Sequence, residues 1–475
     1  MKVDLVGGAY MHPSKSVDCQ ECINWYPEIN NTNSKAATVL MPTPGSKLFY
    51  ESAEDGPSRG LYKTSTNRLV YVHGIYVEEI SANGELIRTF GNVSSNHGLV
   101  SIADNGNQVL IVDGTFGYII ELSTNILTQI TEEGFPEKPT HAVFNNGYFI
   151  VNRGGTFQYY VSDLYYSTAT HWDALNYYTA EGSPDSINAI TTLNNELWIF
   201  GEQSTEVHYC TGDTDFLYMR NNSAFLNFGT IAPRSVATNG NILFWLGSNN
   251  QGDGIVWMTS SYTPSRISNH AIEALIKSKV VINDAVGYTY QQMGHTFYVL
   301  HFQTADLTIV YDVSTGAWHR RTSYDLTNNI IHRHRSIVHA HFNNKTLVGD
   351  YLSGKIFELD LNTYTENGTP IIRERTSPHS FSENKRVYYD HIELDVQKGT
   401  GNSADIEPKL TLCFSNDGGY TWSDPVFGGI GAVGNYATRI RYNRLGYGRD
   451  RVWKIVHSSP TPAVIIAAYM EVIVE

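Results

Sequence analysis

The sequence predicts an all-β protein: a roughly seven-bladed β-propeller with an N-terminal arm and a C-terminal β-sandwich. One unit recurs from about residue 55, opening on a small residue, turning through Asn or Gly and rising in an aromatic or β-branched strand. The composition is rich in Tyr and Gly and contains few runs of helical type. The recurrence stops after Ile372, where longer alternating strands begin. The predicted domains are therefore residues 1–50, 51–372 and 373–475.

Residues 1–50 carry no regular repeat and are predicted to form an extended arm that packs along its own domain or a neighbour. Cys19 and Cys22 form a CxxC pair, which could be half a zinc site or a redox pair. A structural zinc site needs four ligands, and no second Cys/His pair lies at the usual spacing. Two free thiols are the preferred interpretation, and no metal or cofactor is predicted.

The propeller prediction depends on small residues that open successive units every 41 to 53 residues, close to the period of four-stranded blades. The innermost strands of a propeller crowd around its axis, where small side chains let neighbouring blades approach. Apolar strands such as residues 197–200 follow and would pack blade against blade. The opening residues are Gly60, Ser101, Ala142, Ala189, Ala237, Gly287 and Ala340.

Two pairs of histidines could bind a metal ion: His332 with His334, and His339 with His341. A spacing of two places both members of a pair on one face of a strand. Such pairs without a carboxylate in the motif are more often exposed strand residues, so no metal site is predicted.

One stretch, residues 268–277, has a clear helical pattern, with Ser268 as its N-cap and apolar residues three to four apart. We expect this helix to decorate a connection between two blades. The alternating runs of residues 373–475, by contrast, predict a separate β-sandwich of about 100 residues.

Within the predicted sandwich, residues 415–422 fit the Asp-box pattern S-x-D-x-G-x-T-W. In such a turn Asp caps main-chain amides, Gly takes a positive φ and Trp packs beneath. Sialidases carry the same turn, but a sialidase also needs an arginine cluster, a Tyr nucleophile and a carboxylate partner. The structural interpretation is preferred. Its residues are Ser415, Asp417, Gly419, Thr421 and Trp422.

The densest basic region of this acidic chain lies between residues 439 and 451. Alternation places Arg439 and Arg441 on one strand face, which suits docking onto an acidic neighbour or a phosphate backbone. Charge runs are also commonly solvated faces, so both interpretations stay open. The candidate interface residues are Arg439, Arg441, Arg444, Arg449 and Arg451, together with Trp25 and Tyr26 of the arm.

Composition and charge limit the function. The formal net charge of −14 argues against a protein that coats nucleic acid, although an acidic wall lets a polyanion slide past. Four cysteines are too few for a disulfide framework, and neither a signal peptide nor a membrane span is predicted, which indicates a reducing cytosol. The sequence lacks a nucleophile elbow, a phosphate loop and an HExxH motif, so no catalytic residue and no enzyme activity are predicted.

Several stretches in order carry a family resemblance: Gly8-Ala9-Tyr10, CINWYPE at 22–28, TPGSKLF at 43–49, HWDAL at 171–175, AEGSPD at 180–185, LWIFGEQSTE at 197–206, ISNHAIE at 267–273 and the basic run at 439–451. Together they resemble the packaged-DNA stabilisation proteins, the tail accessory or hub proteins of short-tailed bacteriophages. The resemblance covers nearly the whole chain and departs at Cys19 and Cys22.

The resemblance implies a structural virion protein of the phage tail, made in the host cytoplasm. Such a protein forms a ring, expected to hold six copies, that lies below the portal, closes the channel and retains the packaged DNA. The implied partners are other copies of the chain, head-to-tail adaptor proteins, distal fibre, spike or needle proteins, and the phage DNA. The Asp box and the many aromatic residues leave an alternative open, a carbohydrate-active or glycan-binding propeller, sialidase-like or lectin-like.

Overall fold

In the computed structural model, nearly all regular structure is β-strand. The structure describes residues 2–30, 32, 35–167, 170–213, 216–249 and 252–474. The N-terminal segment supplies the first strands, which are β1 (Lys2–Val3), β2 (Cys22–Ile23), β3 (Trp25–Ile29), β4 (Thr38–Pro42) and β5 (Gly45–Glu51).

The next four sheets share one design, four antiparallel strands hydrogen-bonded in chain order. Their strands are β6 (Ser58–Lys63), β7 (Leu69–His73), β8 (Tyr76–Ile80) and β9 (Leu86–Asn92); β10 (Ser101–Asp104), β11 (Gln108–Val112), β12 (Gly117–Glu121) and β13 (Ile126–Gln129); β14 (Pro139–Asn145), β15 (Tyr148–Arg153), β16 (Gln158–Ser162) and β17 (Trp172–Thr179); and β18 (Ala189–Leu193), β19 (Glu196–Phe200), β20 (Thr205–Cys210) and β21 (Tyr218–Leu226). Short 3-10 turns lie at Leu164–Tyr166 and Pro233–Ser235.

The rest of the propeller is less regular. Its elements are β22 (Gly229–Thr230), β23 (Ala237–Asn239), β24 (Ile242–Asn249), β25 (Gly252–Thr259), β26 (Ser265–Arg266), α1 (His270–Lys277), β27 (Val286–Gln292), β28 (His295–Phe302), β29 (Leu307–Asp312), β30 (Ala317–Arg320), β31 (Thr322–Asp325), β32 (Ile330–Arg333), β33 (Ser336–Phe342), β34 (Lys345–Asp350), β35 (Lys355–Asp360), β36 (Thr365–Glu366) and β37 (Thr369–Pro370). Strands β22–β26 form a five-stranded sheet, and β31 pairs only with β32. Strand β5 completes the sheet of β33–β35 by pairing antiparallel with β35, so the N-terminal segment closes the propeller.

The C-terminal strands are β38 (Arg373–Thr376), β39 (Ser380–Phe381), β40 (Val387–Val396), β41 (Lys409–Ser415), β42 (Val426–Gly429), β43 (Ile440–Asn443), β44 (Tyr447–Gly448), β45 (Asp450–His457) and β46 (Ile465–Val474). One face of the sandwich has the order β3-β4-β46-β40-β43, with β1 and β44 attached. The other face, β2-β38-β45-β41-β42 with β39 attached to β45, continues directly into β27–β30, and together these strands form a ten-stranded sheet. Both faces therefore include strands from the N-terminal segment.

The all-β class, the propeller and the C-terminal sandwich are confirmed, but the predicted count of about seven blades is wrong. Six sheets of four or more strands belong to the propeller alone, and the strands expected to form one more blade, β27–β30, instead belong to the ten-stranded sheet that continues into the sandwich. The sequence repeat could not reveal this difference, because it reports strand spacing within a unit and not the partner of the outermost strand.

A separate N-terminal arm is not shown, because strands between residues 2 and 50 pair with strands of both domains. Strand β2 pairs in parallel with β30 and antiparallel with β38. The adjacent residues of β3 point to opposite sides, as strand geometry requires. Trp25 packs in the sandwich core and donates a hydrogen bond to the Ala463 carbonyl at 2.7 Å, whereas Tyr26 packs against Phe297 of the propeller.

Close packing around the axis explains the small residues that open each repeat. A Cβ on Gly60 would lie 2.4 Å from a methyl carbon of Val100, on the neighbouring sheet, and a Cβ on Gly287 would lie 2.5 Å from the Ser235 carbonyl oxygen. Farther from the axis, apolar residues of adjacent sheets form shared clusters, such as Val70 with Ile111. The inner strands are thus packed with no room for a larger side chain at these positions.

The helix α1 begins one residue later than the Ser268 cap predicts. Its N-cap is Asn269, whose side chain accepts a hydrogen bond from the main-chain N–H of Ile272. The Ser268 hydroxyl instead donates to Glu273 at 2.8 Å and accepts from the N–H of Val256. Ser268 therefore ties the helix to β25 and does not cap it.

Candidate functional site

A cavity of about 300 Å³ lies on the axis of the propeller. It lies between the inner strands β6, β10, β14, β18, β27 and β33 and the 3-10 turn at Pro233–Ser235. Wider openings of about 500 and 530 Å³ lie next to it and share some of its lining residues. Arg234 lines both the cavity and one of these openings, so it lies where the two spaces meet.

Arg234 reaches from its own turn to two other sheets. Its Nη2 donates to the carbonyls of Leu99 at 2.7 Å and Thr140 at 2.9 Å, and its Nη1 donates to the Val100 carbonyl at 3.4 Å. Burial and the nearby Arg59 guanidinium lower the pKa of Arg234 to about 10, so it stays charged at neutral pH. The side chain thus links the propeller sheets through a cation held by neutral acceptors.

The cavity lacks the groups of a glycosidase. Among the described residues, none that lines it is Asp or Glu, whereas glycoside hydrolysis ordinarily uses two carboxylates. Asp113 and Asp284 lie at the adjoining opening, where Asp113 accepts from the N–H groups of Thr115 and Phe116, and Asp284 accepts from the N–H of Thr304. These carboxylates hold loop main chain, and the geometry does not favour the carbohydrate-active alternative.

The Asp-box residues form a compact hairpin turn. Asp417 accepts hydrogen bonds from the N–H groups of Tyr420 and Thr421 and from the hydroxyls of Ser415 and Thr421, and these bonds hold the pKa of its carboxyl well below the usual range. Gly419 has a φ of +88°. The Trp422 ring lies under the ammonium of Lys454 at 4.2 Å. Both carboxylate oxygens of Asp417 accept hydrogen bonds within the turn, so this carboxylate serves the structure of the turn.

The candidate arginines of the basic run divide into paired and unpaired groups. Arg439 forms a two-pronged ion pair with Glu393, with its Nη2 at 2.6 Å from Oε2. Arg441 lies 2.8 Å from Nδ1 of His391 and 3.7 Å from Asp390. These two exposed arginines are already partly neutralised by acidic groups of their own sheet.

Arg444 and Arg449 are exposed and, within the described residues, have no carboxylate partner. The Nη1 of Arg449 donates to the Asn384 carbonyl at 2.6 Å. Arg444 has a left-handed backbone, with φ of +60°, which turns the chain outward after β43. They are the exposed positions of the run whose positive charge is not offset nearby.

Arg451, Trp25 and Tyr26 are buried in their own chain, so they do not form an exposed interface as the sequence suggested. The Arg451 guanidinium lies between the rings of Tyr389 and Phe414, at 4.3 and 4.2 Å. It donates to the carbonyls of Leu445 and Tyr447 and to the Asn416 side chain, and burial lowers its pKa to about 10. Trp453, two positions along the same face of the strand, is buried as well.

Among the residues that the structure describes, the two histidine pairs do not assemble a set of metal ligands. His332 pairs with Asp306 at 2.8 Å, and His334 with Glu366 at 3.2 Å, so each member has its own acid. His339 stacks on the Tyr288 ring, and burial lowers its pKa to about 3. His341 is exposed.

Elsewhere, the side chains of Asp390, His391 and Glu471 come within 4.8 Å of one another on the sandwich, at a place where Arg441 already supplies a positive charge.

The cysteines of the CxxC pair are free and buried. The thiol of Cys22 donates to the Trp25 carbonyl at 3.0 Å. Burial raises the pKa of both Cys19 and Cys22 to about 11, which disfavours the reactive thiolate. The redox interpretation is therefore not supported.

The sequence does not predict two features of the structure: Arg234 at the propeller axis, and the strand β2, which joins the propeller strands to the sandwich strands in one sheet. Arg234 follows Pro233 in a short turn without any motif, and its acceptors are carbonyls, which leave no mark on sequence. Strand β2 is two residues long and has too short a pattern to be recognised.

The chain is an acidic all-β protein whose propeller and sandwich share a sheet, and its fold is that of the β-propeller proteins. Two family models match: bacteriophage P22 Gp10, β-propeller, over residues 1–364, and bacteriophage P22 Gp10, β-sandwich, over residues 372–473. The chain therefore belongs to the bacteriophage P22 Gp10 family, which includes phage tail structural proteins, and its place is in the virion. None of the described helices is long and apolar enough to cross a membrane.

Solved structures with a similar arrangement are distant. Virginiamycin B lyase from Staphylococcus aureus is 11% identical, with 66% of this chain and 98% of that chain covered and a TM-score of 0.43. The extracellular domain of the putative one component system BT4673 from B. thetaiotaomicron is 11% identical, with 92% and 62% covered and a TM-score of 0.46. No curated protein matches the sequence.

Proposed function

We propose that the protein is a hub, or nozzle, subunit of a ring below the portal that closes the tail channel, retains packaged DNA and carries distal tail parts. The observation that carries this proposal is the continuity of the ten-stranded sheet from the propeller through β2 into the sandwich. Domains joined only by a linker reorient freely, whereas a shared sheet transmits load through a ladder of hydrogen bonds. A subunit under the pressure of packaged DNA needs such stiffness.

The contacts at the junction support a stiff subunit. The buried side chain of Asn24 donates to the Thr322 and Ile372 carbonyls at 3.1 and 2.8 Å. The buried Arg375 guanidinium donates to the carbonyls of Leu5 and Gly8 at 2.7 and 2.9 Å. Because the Asn24 amide and the Arg375 guanidinium each donate hydrogen bonds to two carbonyls, they hold the N-terminal segment in place between the domains.

Charge supports the role at the channel. With a net charge of −14, the surface repels DNA on average, so a channel built from several copies holds the genome by closure and lets it pass without adhesion. In this proposal the ring has six copies, contacts head-to-tail adaptor proteins on one side and fibre, spike or needle proteins on the other, and meets the DNA in its channel.

The test is the native mass of the purified full-length chain, alone and mixed with the tail-ring protein that precedes it in the virion. We expect a ring of subunits to form on that partner, visible by native mass spectrometry and electron microscopy. A chain that stays monomeric with the partner, and is monomeric in purified virions, would overturn the ring proposal.

A further inference from the structure

The axial cavity is a positively charged space in an acidic protein. Its charged lining residues are Arg59 and Arg234, and none of the described lining residues is acidic. Burial lowers the pKa of Arg59, and the carboxylate of Asp113 opposes this shift, so the charge of Arg59 is partly compensated. Burial and the same Arg59 lower the pKa of Arg234, which forms no ion pair among the described residues, although Asp113 and Asp284 line the adjoining opening. An unpaired charge in a partly enclosed site is costly, and an anion offsets that cost.

The two guanidinium groups differ in the donors that they have left. Arg59 uses all five N–H groups on the carbonyls of Gly98, Gly74, Ser95 and His97 and on the Ser95 hydroxyl. Among the described residues, Arg234 donates three hydrogen bonds, all to main-chain carbonyls, so two of its five N–H groups have no partner there. Among the described residues, Arg234 is therefore the arginine that has both unused N–H donors and no ion-pair partner.

Other lining groups can add hydrogen bonds. The Nε2 of His339 is buried and, among the described residues, has no hydrogen-bond partner. Thr191 also lines the cavity. At about 300 Å³ the cavity holds an ion several times larger than a water molecule, whose share of liquid volume is about 30 Å³.

We propose that the axial cavity of the propeller binds a phosphate-type oxyanion, with Arg234 as its charged ligand and the Thr191 hydroxyl and His339 Nε2 as further donors. The planar guanidinium matches the spacing of two oxygens on a tetrahedral anion, which an ammonium group cannot do. The bound anion neutralises Arg234 and ties together the sheets that meet at the axis. This inference is independent of the ring proposal, because a monomer contains the complete cavity.

The experiment is calorimetric titration of inorganic phosphate into the full-length protein at pH 7 and constant ionic strength. We expect saturable binding that Arg234→Gln weakens at least tenfold and Arg234→Lys weakens less, because lysine keeps the charge and loses the fork. Arg386→Gln, at an exposed arginine of the sandwich, is the matched control and should bind as the unmodified protein does. Equal binding by Arg234→Gln, or no saturable binding by the unmodified protein, would overturn the proposal.

A second pair of variants decides the matter if Arg234→Gln fails to fold. Thr191→Glu places a carboxylate in the cavity, where it replaces the anion, while Thr191→Gln adds nearly the same volume without charge. We expect Thr191→Glu to abolish phosphate binding and Thr191→Gln to keep at least a tenth of the affinity. Binding by Thr191→Glu as tight as by Thr191→Gln would contradict the proposal.

The source of the phosphate group is distinguished by comparing inorganic phosphate with a nucleoside monophosphate. Binding of both through Arg234 indicates that the cavity recognises the phosphate group on a larger ligand as well. Binding of inorganic phosphate alone indicates a free ion that serves the stability of the propeller.

Discussion

At the scale of single residues, the close approach of neighbouring inner strands leaves no room for a side chain at Gly60. A Cβ there would approach Val100, a stiff β-branched side chain on the next sheet, to 2.4 Å. We therefore expect Gly60→Ala to lower the free energy of unfolding by about 1–3 kcal/mol, the usual cost of overpacking a closed site. Urea denaturation followed by tryptophan fluorescence measures this change.

The matched control is Gly429→Ala on the edge strand β42, where an added Cβ would meet nothing within 4 Å. We expect this variant to stay within about 0.5 kcal/mol of the unmodified protein. Equal effects of the two substitutions would mean that the space around Gly60 adapts, and that the small residues have another cause.

Single residues were predictable from sequence where a local rule governs them. The crowding rule located Gly60 and Gly287, and the Asp-box pattern located the turn at Asp417. Arg451 and Trp25 were misplaced, because their burial depends on partners far away in sequence, such as Tyr389 and Ala463. Charge or size alone does not reveal which side of the chain is covered.

At the scale of elements, the strand β2 decides how the two domains are joined. Asn24, which follows it, is 1% exposed, has a left-handed backbone with φ of +56° and uses both ends of its amide on Thr322. We expect Asn24→Ala to lower the free energy of unfolding by about 2–4 kcal/mol, since it leaves buried groups without partners and puts alanine in a strained backbone. Calorimetry should also show a broader unfolding transition as the domains uncouple.

The control is Asn67→Ala, at an exposed turn with a similar φ of +61°. It carries the same backbone strain without the interdomain bonds, so we expect a loss of only about 1 kcal/mol and an unchanged transition width. If the two variants behaved alike, the junction would owe nothing to the Asn24 side chain.

Elements repeated along the chain were predictable, whereas elements unique to one place were not. The four-stranded units are recognised because their sequence pattern recurs along the chain, and the long strands of the sandwich because apolar and polar residues alternate in them. The short β2 and the closing strand β5 pair with partners near the other end of the chain, at Arg375 and Lys355, and no local pattern records such pairing. For this reason the N-terminal segment was mistaken for an arm.

At the scale of the whole molecule, buried neutral histidines should make the protein sensitive to acid. Burial lowers the pKa of His339 and His457 to about 3, below the value of about 6.5 in an unfolded chain. The unfolded state then binds more protons, so this stability is complete above about pH 6.5 and is lost as the pH falls toward 3. When the pH falls from 7 to 5, we expect the free energy of unfolding to drop by about 2 kcal/mol less in His339→Phe than in the unmodified protein. Urea denaturation in phosphate-free buffer measures this difference.

Phenylalanine keeps the stacking of His339 on Tyr288, so its effect isolates the proton. His270→Phe, at an exposed position of α1, is the control and should leave the slope of stability against pH unchanged. An unchanged slope in His339→Phe would show that His339 does not contribute to the acid sensitivity.

Assembly is the last property of the whole molecule, and the two kinds of exposed arginine predict different effects on it. Arg444 and Arg449 have no carboxylate partner among the described residues, so a neighbouring subunit can supply one. Arg439 and Arg441 already contact Glu393 and Asp390, which offsets their attraction for a neighbour. We expect Arg444→Glu with Arg449→Glu to give folded monomers by native mass spectrometry, and the double change at Arg439 and Arg441 to weaken the ring less.

The comparison also separates a specific interface from a general effect of charge, because both double variants change the net charge by the same amount. Arg153→Glu on the propeller, at an exposed arginine that pairs with Glu137, adds a control outside the sandwich and should leave the ring intact. Rings that survive both sandwich variants would exclude the basic run as a subunit contact and direct the search to the propeller surface. Rings lost equally in both would mean that the ion pairs of Arg439 and Arg441 exchange their partners on assembly, since screened surface pairs cost little to break.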